Sequence, residues 1–272
     1  MEPRARLVRI DLSPPDYIHV PQAPRIERRP ILSRDSANEW QMWGVTGVTP
    51  SGERVGVSNH TWSHVDAPFH LLPQGATFRQ VDPRTYLALR TRVVDLTHGA
   101  ARRETVAGID YHSEIAPEDL PADLSGFDAV FLVTGFSALY EAGYPMRDTA
   151  DEHYPDVRPD AASRLAACSS LRVLAIDAPS VDKPRSNAAA HRILLGRQPN
   201  PVLLVETLWA DPFREAFPRL PEEVLLTIEP LRALGPEQDG ALASVYAYAP
   251  AEGEEGFYRE FVSAMRTARL VG

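Results

Sequence analysis

Hydrophobic and polar positions along the chain sort it into strands and helices before any single residue is considered. Residues 6–12, Arg-Leu-Val-Arg-Ile-Asp-Leu, predict a first strand, and Val55 to Ser58 predict another that runs into a histidine-rich segment. Thr91 to Leu96 is a strand by its β-branched content. Unbroken apolar runs at Asp128–Gly135, Leu171–Asp177 and Val202–Glu206 predict buried strands. Glu222 to Glu229 and Ala241 to Tyr248 alternate with the period of a strand. Helical spacing marks Asp160–Cys168, Asn187–Leu195 and Phe257–Leu270, and Val81 to Leu89 reads as a short helix. Strands and helices interleave, so the expected fold class is α/β, as a single domain over residues 1–272. There is no internal repeat, no low-complexity segment and no glycine-rich phosphate loop.

The segment from about residue 13 to residue 36 is rich in proline and arginine and long for a loop. Such a segment is either a lid or dimer arm, or a surface excursion. Trp40, Met42 and Trp43 follow and suggest a partly buried wall, and Thr49-Pro50-Ser51-Gly52 is a turn signal.

Composition narrows the function classes. A chain of 272 residues with 44% hydrophobic and 24% charged residues can bury a sizeable core. A net charge of −9 without a long basic run argues against nucleic acid or an anionic membrane as the main partner. The single Cys168 excludes an intrachain disulfide framework and reads as a small core residue on a helix. No apolar run approaches the length of a membrane span, and the N-terminus lacks a signal peptide's apolar stretch. The expected placement is cytoplasmic.

The chemistry concentrates in residues 59–70, Asn-His-Thr-Trp-Ser-His-Val-Asp-Ala-Pro-Phe-His. Three of the chain's eight histidines fall there with an aspartate. If the segment is extended, His60, His64 and Asp66 share one face. Imidazole nitrogen with carboxylate oxygen suits zinc, manganese or iron. The plainer reading is a polar strand with satisfied histidines, but polar groups gathered on one face need a shared purpose. His19, His98 and His112 have no partner at ligand spacing and read as surface or turn histidines; His153, between acidic neighbours, reads as part of a solvated loop.

This segment resembles the H-x-G-T-H-x-D-x-P-x-H motif of the metal-dependent cyclase/hydrolase family, which includes bacterial kynurenine formamidase, isatin hydrolase and some polyketide cyclases. His60, His64, Asp66, Pro68 and His70 stand at matching positions, while Trp62-Ser63 replaces the Gly-Thr pair. The resemblance runs from Arg6 to about Ala249 and implies a swivelling β/α/β fold. It also implies a second pair of metal ligands, His191 and Glu206, and a match of Asp177 and Asp182 to a T-D-x-x-S-x-D segment. On that basis His60, His64, Asp66, His191 and Glu206 are the expected ligands of one or two divalent transition ions. Asp66 could lie between the two.

His70, beyond the Ala67-Pro68 turn, is better placed as general acid/base than as ligand. Asp177 and Asp182 are expected to orient a histidine ligand. Thr134-Gly135-Phe136 resembles a turn of the family, and Trp62, Phe69, Phe136 and Tyr140 are the expected substrate-pocket residues. The indole of Trp62 should project to the metal side if residues 60–66 are extended, or into the core if the chain bulges there.

The expected function is hydrolysis of an amide-like C–N bond in an aromatic or cyclic small molecule, by metal-activated water with a histidine acid/base. The alternatives are a polyketide-type cyclase and a non-catalytic metal-binding protein. A small-molecule substrate and a homo-oligomer complete the expectation.

Overall fold

The apolar runs form the parallel centre of a curved sheet in the computed structural model of the protein. It describes residues 6–13, 27–34, 39–48, 54–60, 62–98, 102–142, 153–183, 186–231 and 238–271. The strands in chain order are β1 (Leu7–Asp11), β2 (Glu27–Arg34), β3 (Glu39–Val48), β4 (Arg54–Ser58), β5 (His64–Asp66), β6 (Leu89–Asp95), β7 (Arg103–Val106), β8 (Ile109–His112), β9 (Glu114–Ile115), β10 (Ala129–Val133), β11 (Asp156–Val157), β12 (Val173–Ile176), β13 (Leu203–Glu206), β14 (Glu223–Pro230) and β15 (Gly240–Pro250). The helices are α1 (Ala138–Glu141), α2 (Pro159–Ala167), α3 (Ala189–Leu195), α4 (Asp211–Ala216) and α5 (Glu255–Val271).

The main sheet runs β1-β15-β14-β6-β10-β12-β13-β5, and β5 pairs with β15 as well. Seven strands, from β15 round to β5, therefore close into a barrel-like ring. β6, β10, β12 and β13 are mutually parallel, and the other pairings in this sheet are antiparallel. One edge of β15 is shared: Gly240–Leu242 pair with β5, and Tyr246–Pro250 pair with β1.

Buried parallel strands need apolar residues on both faces, and β10, β12 and β13 are buried along their whole length. One parity fills the ring: Phe131, Val133, Val173, Ala175, Leu203 and Val205 join Val65, Leu226 and Val245 in a single core. The other parity, Val130, Leu132, Leu174, Ile176 and Leu204, faces outward against Ala161, Leu165, Ala190 and Leu194 of α2 and α3. The fold is thus mixed α/β, as its interleaved pattern predicts. At the C-terminus, α5 is tied back by Arg269 Nη2 and Arg266 Nε, at 3.1 and 3.2 Å from the buried carboxylate of Asp128.

Two expectations about local structure change. Residues 81–89 form no α-helix. Asp82 accepts from the backbone of Arg84 and holds only one 3₁₀ turn, Pro83–Thr85, before Leu89 enters β6. Of the Pro/Arg-rich excursion, residues 27–34 form β2 in an antiparallel sheet β2-β3-β4, while residues 14–26 lie outside the described residues. The side chains of Trp40, Met42 and Trp43 also lie outside them, as do His19 and the Thr49–Gly52 turn.

Candidate metal centre

The centre forms where β5 is held between β13 and β15. The register sets Glu206 opposite His64, and Leu204 and Gly240 on either side of Asp66. Val65 and Ala67 belong to the interior core, so His64 and Asp66 face out of the ring, as does Glu206 between Val205 and the turn that follows. His191 arrives on the buried face of α3, beside Ala190 and Leu194.

His60 reaches the same place by another route. His60 stands in a turn, Trp62 and Ser63 in a bend, and the strand begins only at His64, so His60 does not share a strand face with His64. Trp62 stands in that bend with φ 58°, in the left-handed region that favours glycine. The parity that was to aim Trp62 at the metal side does not exist. Its side chain is half-buried, and its carbonyl oxygen lies 2.7 Å from His64 Nδ1.

Three imidazoles converge on Asp66, which is fully buried. His60 Nδ1 is 2.8 Å from its Oδ1, His64 Nε2 is 3.4 Å from Oδ1, and His191 Nε2 is 3.4 Å from Oδ2. Glu206 adds two more approaches, Oε2 at 3.4 Å from His64 Nε2 and Oε1 at 3.5 Å from His191 Nε2. Neither oxygen of Asp66 receives a well-formed hydrogen bond. The separations of 3.4–3.5 Å from His64 to Asp66 and from His191 to Asp66 and Glu206 are long for a hydrogen bond. They are what two ligands of one tetrahedral ion keep when each stands about 2.0–2.1 Å from it, an edge of about 3.3 Å. The donor set therefore fits a metal. The groupings that could hold an ion include His60-His64-Asp66 and Asp66-His70-His191.

Each of these three imidazoles is fixed from behind. His64 Nδ1 faces the carbonyl of Trp62, and His191 Nδ1 lies 2.6 Å from Asp182 Oδ2. Asp182 also accepts from the backbone N–H groups of Ala190 and His191. It thereby caps α3, whose own N-cap residue, Ala188, is left-handed and offers no side-chain bond. His60 Nε2 is 2.7 Å from Asp239 Oδ2, and Asp239 was not anticipated. The same oxygen lies 3.0 Å from His70 Nδ1. His70 stacks on His60 with ring centroids 3.9 Å apart. The only sequence signal was an Asp-Gly pair opening an alternating strand.

Opposite charges oppose the cost of burial within the cluster. Burial lowers the pKa of His60, but Asp239 and Asp66 outweigh it and carry the ring up to about 10. Burial opposes ionisation of Asp66 too, and the histidines His60, His70 and His64 hold it well below the usual carboxylate range. His191 is raised against its burial by Glu206 and Asp182. His70 moves the other way: burial, and then the His60 cation, lower its pKa and favour the neutral imidazole.

Other expected residues lie elsewhere. Asp177 accepts from Thr134 N and Oγ1 and from Gly135 N, joining the ends of β10 and β12 rather than orienting a histidine. Phe136 and Tyr140 are buried in the outer core with Leu139 and Ile176, and the Tyr140 hydroxyl donates to the carbonyl of Asp177. Phe69 is half-buried on the 3₁₀ turn of His70. His112 is buried on β8 and is not a surface histidine, because the β7–β8 hairpin folds it inward. His98 and His153 are exposed.

Residues 10–183 match the model of the Cyclase family. Among solved structures, the chain is similar to a potential metal-dependent hydrolase with cyclase activity, at 21% identity and a TM-score of 0.57 over 90% of this chain and 99% of that one. A predicted metal-dependent hydrolase from Bacillus stearothermophilus aligns over the same shares at 20% identity and a TM-score of 0.52. Isatin hydrolase A from Labrenzia aggregata, bound to benzyl benzoate, aligns over 90% of this chain and 94% of its own at 19% identity and a TM-score of 0.58. At these identities the solved structures speak for the fold, and His191, Glu206 and Asp239 lie beyond the family match.

Proposed function

This chain belongs to the cyclase family, and we propose that within it the protein is a metal-dependent hydrolase of an amide-like C–N bond in an aromatic or cyclic small molecule. The observation that carries this is the buried Asp66, ringed by three imidazole nitrogens at 2.8–3.4 Å. His60, His64 and Asp66 would hold one ion, and Asp66, His191 and Glu206 a second, with Asp66 between them. Zinc suits this donor set, and the bound ions would polarise a carbonyl and ease deprotonation of water.

The chain's own groups supply the rest. His70 is buried and kept toward its neutral form, so it can take a proton from water and return one to a leaving nitrogen. Asp182 and the Trp62 carbonyl, holding Nδ1, keep the Nε2 edges of His191 and His64 turned inward. Tyr154, half-buried against Phe136 of the outer core, has its phenol pushed up to about 12 by burial and then by Glu206.

The test combines metal analysis with a screen of N-formylkynurenine, isatin and cyclic imides. His64→Ala and Glu206→Ala should each lower bound metal. His70→Ala should keep its metal and lose turnover by about 10²–10⁴-fold. Oxygen from labelled water should enter the product; a product formed without it would replace hydrolysis by cyclisation.

A further inference from the structure

We propose that Asp239 is a positioning residue that sets the tautomers of two imidazoles at once, the expected ligand His60 and the proton carrier His70. The inference rests on the reading of His70 given above and adds to it a residue on a distant part of the chain.

Asp239 is fully buried, and its carbonyl and both carboxylate oxygens have partners. Its carbonyl accepts from Ala67 N at 2.8 Å, which ties it to the end of β5. Oδ1 accepts from Asn59 Nδ2 at 2.7 Å, and the same Asn59 amide donates to the carbonyl of Gly240 at 3.0 Å. Both donations come from one –NH2 group, so the orientation of Asn59 is determined. Oδ2 is left to the rings, 2.7 Å from His60 Nε2 and 3.0 Å from His70 Nδ1.

An ionised carboxylate only accepts, so both ring nitrogens facing it must carry hydrogen. His60 then keeps Nδ1 toward Asp66, 2.8 Å away, as the nitrogen whose hydrogen a bound ion would displace. His70 carries its basic lone pair on Nε2, the nitrogen that does not face Asp239. The stacking of the two rings at 3.9 Å and 24° brings both N–H edges to one oxygen. His64 and His191 rely on other acceptors, the Trp62 carbonyl and Asp182, and are independent of this device.

Asp239→Asn inverts the logic. Asn59 forces the new amide to keep its oxygen on Asn59 and turn –NH2 to the rings. Each ring must then answer with a lone pair, so His60 directs an N–H at Asp66 and His70 loses its base on Nε2.

The experiment is nitrogen-15 imidazole spectroscopy of the intact protein, with and without zinc, beside zinc competition against a chelator. In the unaltered protein loaded with zinc the expected result is hydrogen on Nδ1 of His70 and on Nε2 of His60. Hydrogen on the opposite nitrogen of His70 overturns the proposal without any variant. In Asp239→Asn both patterns should invert and zinc affinity should fall by about 10–100-fold. Wild-type tautomers and affinity in a folded Asp239→Asn also overturn it. Asp182→Asn, the control, should disturb His191 alone. If His70→Ala hydrolyses substrate normally while these tautomers hold, it is the proton role of His70 that fails, and the positioning by Asp239 stands.

Discussion

Gly240→Ala is the smallest change that should reach the centre. A Cβ built on Gly240 would lie 2.7 Å from His60 Cε1, 3.1 Å from His60 Nε2 and 2.9 Å from the carbonyl oxygen of Val65. The first two atoms belong to a ring pinned by Asp66 and Asp239, and the third to the paired strand β5. None is the loose end of a flexible side chain. Overpacking of this kind costs about 1–3 kcal/mol. At about 2–4 °C per kcal/mol for a chain of this size, the melting temperature should fall by about 2–12 °C. His60 must also leave its place, so zinc affinity should drop at least about tenfold. The assay is thermal unfolding with chelator competition, in a cycle with His60→Ala. Without the imidazole, only the Val65 contact remains, so Gly240→Ala should cost less in that background. An equal cost in both backgrounds, or unchanged melting and affinity in the single variant, would refute the idea that Gly240 exists to admit His60.

Three further outcomes follow from separate features. Trp62 holds φ 58°, so Trp62→Gly should be more stable than Trp62→Ala by about 1–2 kcal/mol in urea unfolding, the reverse of the usual preference. Asp182→Ala removes the acceptor of His191 and the cap of α3, and should cost about 1 kcal/mol of stability and about 10–100-fold in zinc affinity, read by unfolding and competition. Burial raises Asp177 from 3.8 to about 6 despite its three hydrogen bonds. The folded state therefore holds that proton more tightly, and the stability it brings is complete below pH 4 and lost as pH rises through 6, by up to about 3 kcal/mol. The difference between unfolding curves of the wild type and Asp177→Asn across that range should show the slope; parallel curves would contradict it.

The sequence was most readable where burial is continuous. The runs ending at Val133, Ile176 and Glu206 are apolar on both faces, and period and length alone define such strands. It was least readable where turns decide. A parity argument brought His60 into line with His64, but the chain is left-handed at Trp62 and extended only from His64. Asp177 and Asp182 looked alike as acids flanking one segment. Only the second lies beneath α3, while the first meets the backbone donors at the end of β10. Asp239 was invisible for a different reason. It is joined to His60 across 179 positions, and its place depends on the pairing of β15 with β5, which no local pattern records.

That pairing has a consequence for the order in which a growing chain becomes competent. All five expected ligands lie between His60 and Glu206, so they leave the ribosome before Gly240 and the rest of β15. A nascent chain at that stage has imidazoles and carboxylates to offer, but β5 has only one of its two neighbours, and His60 lacks the carboxylate that holds its Nε2. Synthesis proceeds at about 5–20 residues per second, so this interval lasts seconds. Ions met during it would find a floppy, unselective chelator. On the proposed reading, the geometry that would discriminate among ions arrives with the last strand, and closure of the ring would be the moment at which metal choice is made.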